Sequence, residues 1–149
     1  MIKIEHSSTI HRSIEEVFAY MTDLRNAPEW QSGLLEMRQT TEGPVSTGAK
    51  YVGVRRFLGR KLESSIEIVE YEPNTKLSWK TISSPTPFVS SWLFETTAEG
   101  TKVIWNLEVE VGFFGLADPL VAAAIRRDAE AGFGTLKDLL ENEVVSTAR

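Results

Sequence analysis

The chain has 149 residues, a formal net charge of −5 and no cysteine; hydrophobic residues make up 42% of it and charged residues 25%. That is enough chain for one folded unit with a sizeable core, and the balance gives no sign of general disorder. The lack of cysteine excludes a disulfide framework and thiolate chemistry, while the acidic balance speaks against a nucleic-acid partner, which is held by clustered Lys and Arg.

Residues 2–11 read as a strand in which Ile2, Ile4 and His6 alternate with Lys3 and Glu5. This alternation is unlike the continuous apolar segment of a secretory signal, and no apolar run reaches the roughly 20 residues of a membrane-spanning helix. We expect one domain over 1–149, cytoplasmic, with no membrane span. A helix follows at once. Ser13-Ile14-Glu15-Glu16 has the form of a capping box, and Ile14, Val17, Phe18 and Met21 make one apolar stripe. Asp23 to Gly33 reads as a second, short helix interrupted by Pro28 and ending near Trp30.

From Leu34 to Gly112 the pattern is β. Turn signals recur at 42–44, 58–60, 72–74, 85–87 and 98–100, with runs rich in Val, Ile, Thr and aromatics between them. In the clearest strand, 102–111, Val103, Trp105, Leu107, Val109 and Val111 share a face opposite Lys102, Asn106, Glu108 and Glu110. Such alternation belongs to an antiparallel sheet with one buried face. Asp118-Pro119 then opens a long helix. Val121, Ala122, Ile125, Ala129, Gly132, Phe133, Leu136, Leu139 and Leu140 gather on one side; Arg127, Glu130, Lys137, Asp138 and Glu141 fall on the other. The order is β-α-α-β-β-β-β-β-β-α, an α+β fold. One helix must cover the inner face of seven strands, so the sheet has to curl around it.

Gly132 sits mid-helix on the buried side, where glycine costs about 0.5–1 kcal/mol relative to alanine. Two readings follow. The helix is thinned where a ligand lies, or large rings from the sheet fill the space beside it. Gly134, on the outer side, fits neither.

Several short motifs carry a resemblance: the Val17-Phe18 helix, Trp30-Gln31-Ser32-Gly33, the strand start from Gly48 to Tyr51, and Glu70-Tyr71-Glu72-Pro73. Phe94-Glu95-Thr96, then Gly100-Thr101-Lys102-Val103, and the ending from Arg126-Arg127 to Leu136-Lys137-Asp138-Leu139-Leu140-Glu141 extend it over nearly the whole chain. In order and spacing these resemble the START-like superfamily, in particular its bacterial polyketide cyclase/dehydrase and lipid-transport group, related to plant pathogenesis-related allergens. The resemblance implies a helix-grip fold, a curved seven-stranded antiparallel sheet around a long C-terminal helix, with two short helices between strands 1 and 2. It also implies a hydrophobic cavity between sheet and helix, and no single reaction.

We expect the cavity wall to include Tyr51, Arg55, Phe57 and Ile66 from the early strands, and Trp79, Trp92, Phe94, Trp105 and Leu107 from the later ones. From the helix we expect Ala129, Gly132, Phe133 and Leu136. If Tyr51 and Phe57 point inward, strand parity turns Arg55 inward too, where a guanidinium can orient a carboxylate, phenolate or enolate. The competing reading is a solvated charge beside the 58–59 turn, among Arg56, Arg60 and Lys61. Arg55 and Tyr51 are the candidate catalytic residues, with Ser64, Thr81 and Ser90 on the same parity as further hydrogen-bonding groups.

His6 and His11 fall on opposite faces of a regular strand, and no carboxylate cluster accompanies them, so we expect no metal. Glu108 and Glu110 share the face turned away from Trp105. No serine has a nucleophile's spacing, and Gly132-Phe133-Gly134 lies inside a helix, which is not a dinucleotide site. We expect no cofactor. The apolar stretch 112–116 is either a flap over the pocket or a plug of the core. The first expectation for function is a container for a small hydrophobic molecule, a lipid, polyketide or aromatic metabolite. The alternative is a polyketide aromatase/cyclase or dehydrase, and a third is a regulatory protein-interaction module. The oligomeric expectation is a monomer or homodimer.

Overall fold

The computed structural model describes residues 1–147 of the chain, with side chains described through Asn142. The last two residues of the expected unit therefore lie outside the described residues. Strand β1 (Ile2–Ile10) leads into α1 (Ile14–Thr22), a 3-10 turn (Leu24–Asn26) and the single-turn α2 (Ala27–Trp30). Six strands follow: β2 (Leu34–Gln39), β3 (Lys50–Phe57), β4 (Arg60–Glu72), β5 (Lys76–Ser83), β6 (Phe88–Thr97) and β7 (Gly100–Val109). A second 3-10 turn (Gly112–Phe114) precedes the long helix α3 (Asp118–Thr147). The sheet is antiparallel throughout, ordered β1-β7-β6-β5-β4-β3-β2. This is the helix-grip architecture. Among the described residues no helix is long and apolar enough to cross a membrane.

Register breaks in β2 between Leu34 and Glu36, in β5 between Thr81 and Ser83, and in β4 between Ile68 and Glu70 supply the curl, because an extra residue on one strand bends it and increases its twist. Ser13 caps α1, its Oγ accepting from the Glu16 N–H at 3.3 Å. The reciprocal half differs from a capping box. The Glu16 carboxylate accepts from the Ser13 hydroxyl at 2.9 Å and pairs with Arg12. The segment expected as one helix over 23–33 is a 3-10 turn followed by α2, with Pro28 in the first turn of α2. Strand β7 begins two residues earlier than expected, at Gly100, whose φ of +143° and close approach to the Ile10 carbonyl leave no room for a Cβ.

The C-terminal half of α3 is fastened to the end of β1. Lys137 Nζ donates to the Thr9 carbonyl at 3.0 Å, the His11 N–H donates to Glu141 at 3.0 Å, and Arg12 donates to the Leu140 carbonyl. Lys137 and Glu141 therefore do not lie on a purely solvated face, and Leu139, assigned to the buried side, is 36% exposed. The helix leans toward β1, which brings one flank of its apolar stripe inward and turns the other out. Two apolar clusters result, one around Val17, Phe18, Leu77, Val103 and Leu136, the other around Ile2, Ile4, Val109 and Val121. Trp105 and Phe88 pack against both.

Candidate ligand cavity

Between the curled sheet, α2 and α3 lies a cavity of about 220 Å³. All four tryptophans of the chain, Trp30, Trp79, Trp92 and Trp105, stand in its wall. Their rings brace one another: Trp79 meets Trp92 edge-on at 4.7 Å, Trp30 lies 5.8 Å from Trp92, and Phe133 of α3 lies 5.3 Å from Trp30. Contacts at these separations hold aromatic faces in fixed orientations. Trp105 is held further, its indole N–H donating to Ser90 Oγ at 2.8 Å while the Ser90 hydroxyl donates to the Asn106 carbonyl at 2.9 Å.

Gly132 stands where α3 meets both the cavity and the end of α2. It lines the cavity, and a Cβ built on it would sit 3.2 Å from the Trp30 carbonyl oxygen and 3.7 Å from the Trp30 ring. The space left by the missing side chain is taken by α2, not by rings of the sheet. A Cβ on Gly134 would meet nothing.

The polar end of the cavity is built around Arg55. Pairing of β3 with β4 runs unbroken from Lys50↔Glu67 to Phe57↔Arg60, so the inward parity of Tyr51, Gly53, Arg55 and Phe57 is kept. Gly33, at φ +85°, lets the chain pass so close to β3 that a Cβ would lie 2.6 Å from the Arg56 carbonyl oxygen. The Arg56 N–H donates to the Gly33 carbonyl at 2.8 Å. That close approach sets Gln31, at the end of α2, beside the guanidinium, and Arg55 Nη2 donates to Gln31 Oε1 at 2.7 Å. Asp128 of α3 lines the same cavity. Burial lowers the pKa of Arg55 from its ordinary value, against the pull of Asp128. Burial raises the Asp128 carboxyl, against the pull of Arg55 and then Arg127. Arg55 and Asp128 are the two charged side chains among the described residues of the wall.

Of the residues expected in the wall, Arg55, Phe57, Ile66, Trp79 and Trp92 line the cavity, as do Trp105, Leu107, Ala129, Gly132 and Phe133. Tyr51, Phe94 and Leu136 do not; they are packed in the apolar cluster beyond it. Tyr51 is 2% exposed, and burial, then the Asp23 charge, raises its phenol pKa. Their parity is inward, but the closed end of the curled sheet is filled by α1, with Phe18 meeting Phe94 edge-on at 4.9 Å. Ser64 and Thr81 are engaged elsewhere, with Ser84 and with the backbone of Phe88. Trp30, Gln31, Ser32, Thr86 and Asp128 line the cavity without having been expected in its wall, although Trp30-Gln31-Ser32 belongs to a motif that carries the resemblance. For Asp128 the signal was present: it lies three residues after Ile125 and four before Gly132, on the same face of the helix.

The 112–116 stretch divides its roles. Phe114 lines the cavity and packs edge-on against Phe57 at 5.5 Å, closing the gap between the β3–β4 hairpin and the start of α3. Phe113 is 39% exposed and lies under the Arg60 guanidinium, 4.6 Å from ring centre to carbon. Among the described residues no group of three or more His, Asp or Glu could hold a metal ion.

A family model for polyketide cyclase/dehydrase and lipid transport matches residues 1–141. The chain belongs to this family. No curated protein matches this polyketide cyclase/dehydrase and lipid-transport sequence. Solved structures show the same fold at low identity. A Thermus thermophilus protein is 18% identical with a TM-score of 0.80, covering 92% of this chain and 95% of its own. A START superfamily protein from Mycobacterium smegmatis is 10% identical with a TM-score of 0.76, over 94% and 97%. The di-domain ARO/CYC StfQ from the steffimycin biosynthetic pathway is 14% identical with a TM-score of 0.77, over 96% of this chain and 51% of its own.

Proposed function

We propose that this member of the polyketide cyclase/dehydrase and lipid-transport family is a container for one small hydrophobic molecule with an aromatic or otherwise flat apolar body. The observation that carries this reading is the concentration of every tryptophan of the chain in the wall of one cavity. Braced rings offer flat apolar faces without large rearrangement, and affinity would come mainly from apolar burial, at about 25 cal/mol per Å² before association costs. The wall's small number of polar groups supports orientation of a ligand by one end.

The tryptophans also supply the test. Occupancy of the cavity alters the surroundings of all four indoles at once, so titration with an apolar aromatic is expected to shift and quench intrinsic emission saturably. Native mass spectrometry of the purified protein is expected to show a one-to-one adduct with the same compound. Absence of both signals counts against the container reading.

A second reading, a polyketide cyclase or dehydrase, draws support from Asp128, whose raised pKa and place opposite Arg55 suit proton transfer next to a stabilised enolate. Its test is turnover of a poly-β-ketone substrate by the unaltered protein, lost in Asp128→Asn while binding of an apolar aromatic persists.

A further inference from the structure

Resting on the container reading, we propose that the ligand is a weak acid, its apolar body among the tryptophans and its acidic oxygen group, a carboxyl or an acidic enol or phenol, in the space between Arg55 and Asp128. Three observations converge. Arg55 reaches the cavity wall from β3, and its guanidinium has one protein partner among the described residues, the neutral Gln31 Oε1 at 2.7 Å. A guanidinium has five N–H donors, so most of its hydrogen-bonding capacity is left for something else. Asp128 lines the same cavity from α3, near enough for the two charges to act on one another, yet no direct ion pair or hydrogen bond joins them. Trp30, 4% exposed and part of the same wall, has an indole N–H with no acceptor among the described residues.

The physics of that end selects the ligand's polar group. A desolvated cation without a close counter-ion is costly, and an oxyanion with two oxygens removes the cost through charge-assisted, paired hydrogen bonds. A neutral apolar end would leave the guanidinium donors unmet as the cavity closes around it. A cationic end is repelled by Arg55. A dianion such as a phosphate monoester is disfavoured by Asp128, whereas a group with one dissociable proton fits both partners. It sets its anionic oxygen against Arg55 and leaves its proton on, or shared with, the Asp128 carboxylate. A ligand that enters as its free acid brings that proton with it, and one that enters already ionised, such as naphthoate, draws it from water on binding.

Calorimetric titration of the full chain with naphthoate and with its neutral isostere acetylnaphthalene, substituted at the same ring position, tests this. Naphthoate is expected to bind at least about tenfold more tightly, as a charge-assisted pair in an apolar wall should. Arg55→Met is expected to abolish that preference, with naphthoate losing far more affinity than acetylnaphthalene. Asp128→Asn keeps the shape and sets an amide N–H against the bound carboxylate with no proton to be taken up, so it is expected to widen the preference at neutral pH. Equal affinities in the unaltered protein, or a preference that survives Arg55→Met, overturn the inference and leave the container reading standing. A preference that narrows in Asp128→Asn also overturns it. If neither compound binds, the container reading fails, and this inference with it.

Discussion

Gly132 on α3 backs onto Trp30 of α2, so closely that a Cβ would come within 3.2 Å of the Trp30 carbonyl oxygen. Gly134, two residues on, faces open space. The two glycines thus separate helix propensity from packing. Gly134→Ala is expected to stabilise the protein by about 0.5–1 kcal/mol, the ordinary gain of alanine over glycine in a helix. Gly132→Ala is expected to gain less, because α2 must move back by a few tenths of an ångström. Gly132→Val is expected to destabilise by about 1–3 kcal/mol through overpacking. Urea unfolding midpoints of the three variants check the order.

Ser90 fixes the orientation of Trp105 through the 2.8 Å bond from its indole. Ser90→Ala leaves that N–H without its partner and is expected to cost about 1–3 kcal/mol. Ligand affinity is expected to fall as well, since one wall of the cavity loses its fixed face. Ser90→Thr, which keeps the hydroxyl, is expected to restore part of both. Thermal unfolding and emission titration measure the two effects.

Phe57 and Phe114 close the cavity between the β3–β4 hairpin and the start of α3. Phe114→Ala is expected to accelerate both entry and exit of an apolar ligand, with a smaller change in Kd than in either rate. Stopped-flow emission gives the two rates. A fall in affinity with no change in the entry rate would show that Phe114 acts only as a wall.

Glu141 links α3 to the end of β1 by accepting from the His11 N–H and from Lys137. Burial pushes its carboxyl up, but the bonds from Lys137 and His11 outweigh this and hold it below its ordinary value of 4.5. A lowered folded-state pKa means that the contribution to stability is present above the unfolded value and lost as pH falls through the folded one. Glu141→Gln is therefore expected to be less stable than the unaltered protein at neutral pH, with the difference shrinking as the pH falls below about 4.5. Unfolding midpoints measured from neutral pH down to about pH 3 read the slope directly.

Much of the architecture was legible because its signals are periodic and local. The alternation along β7 and the stripe on α3 identify their faces without reference to any distant residue, and Arg55 is turned inward by counting along an unbroken strand. Where the reading departed from the structure, a long-range contact was responsible. Tyr51, Phe94 and Leu136 have the expected inward direction, but α1 fills the sheet's closed end, so they are core and not cavity. Lys137 and Glu141 look like surface charges in the helical pattern until the end of β1 comes within hydrogen-bonding reach.

By itself the sequence determined a curled antiparallel sheet around one long helix, and which side of each strand is apolar. It also supplied an arginine at an inward position. Only the tertiary structure decided where that interior stays open and what faces the arginine. Gln31, Arg55 and Asp128 come from α2, β3 and α3, and no spacing along the chain encodes their meeting. It depends on Gly33 letting the chain pass close to β3 and on Gly132 letting α3 settle against Trp30. A cavity is what remains after such contacts are made, and it is set by how elements pack together, not by the preference of any one of them.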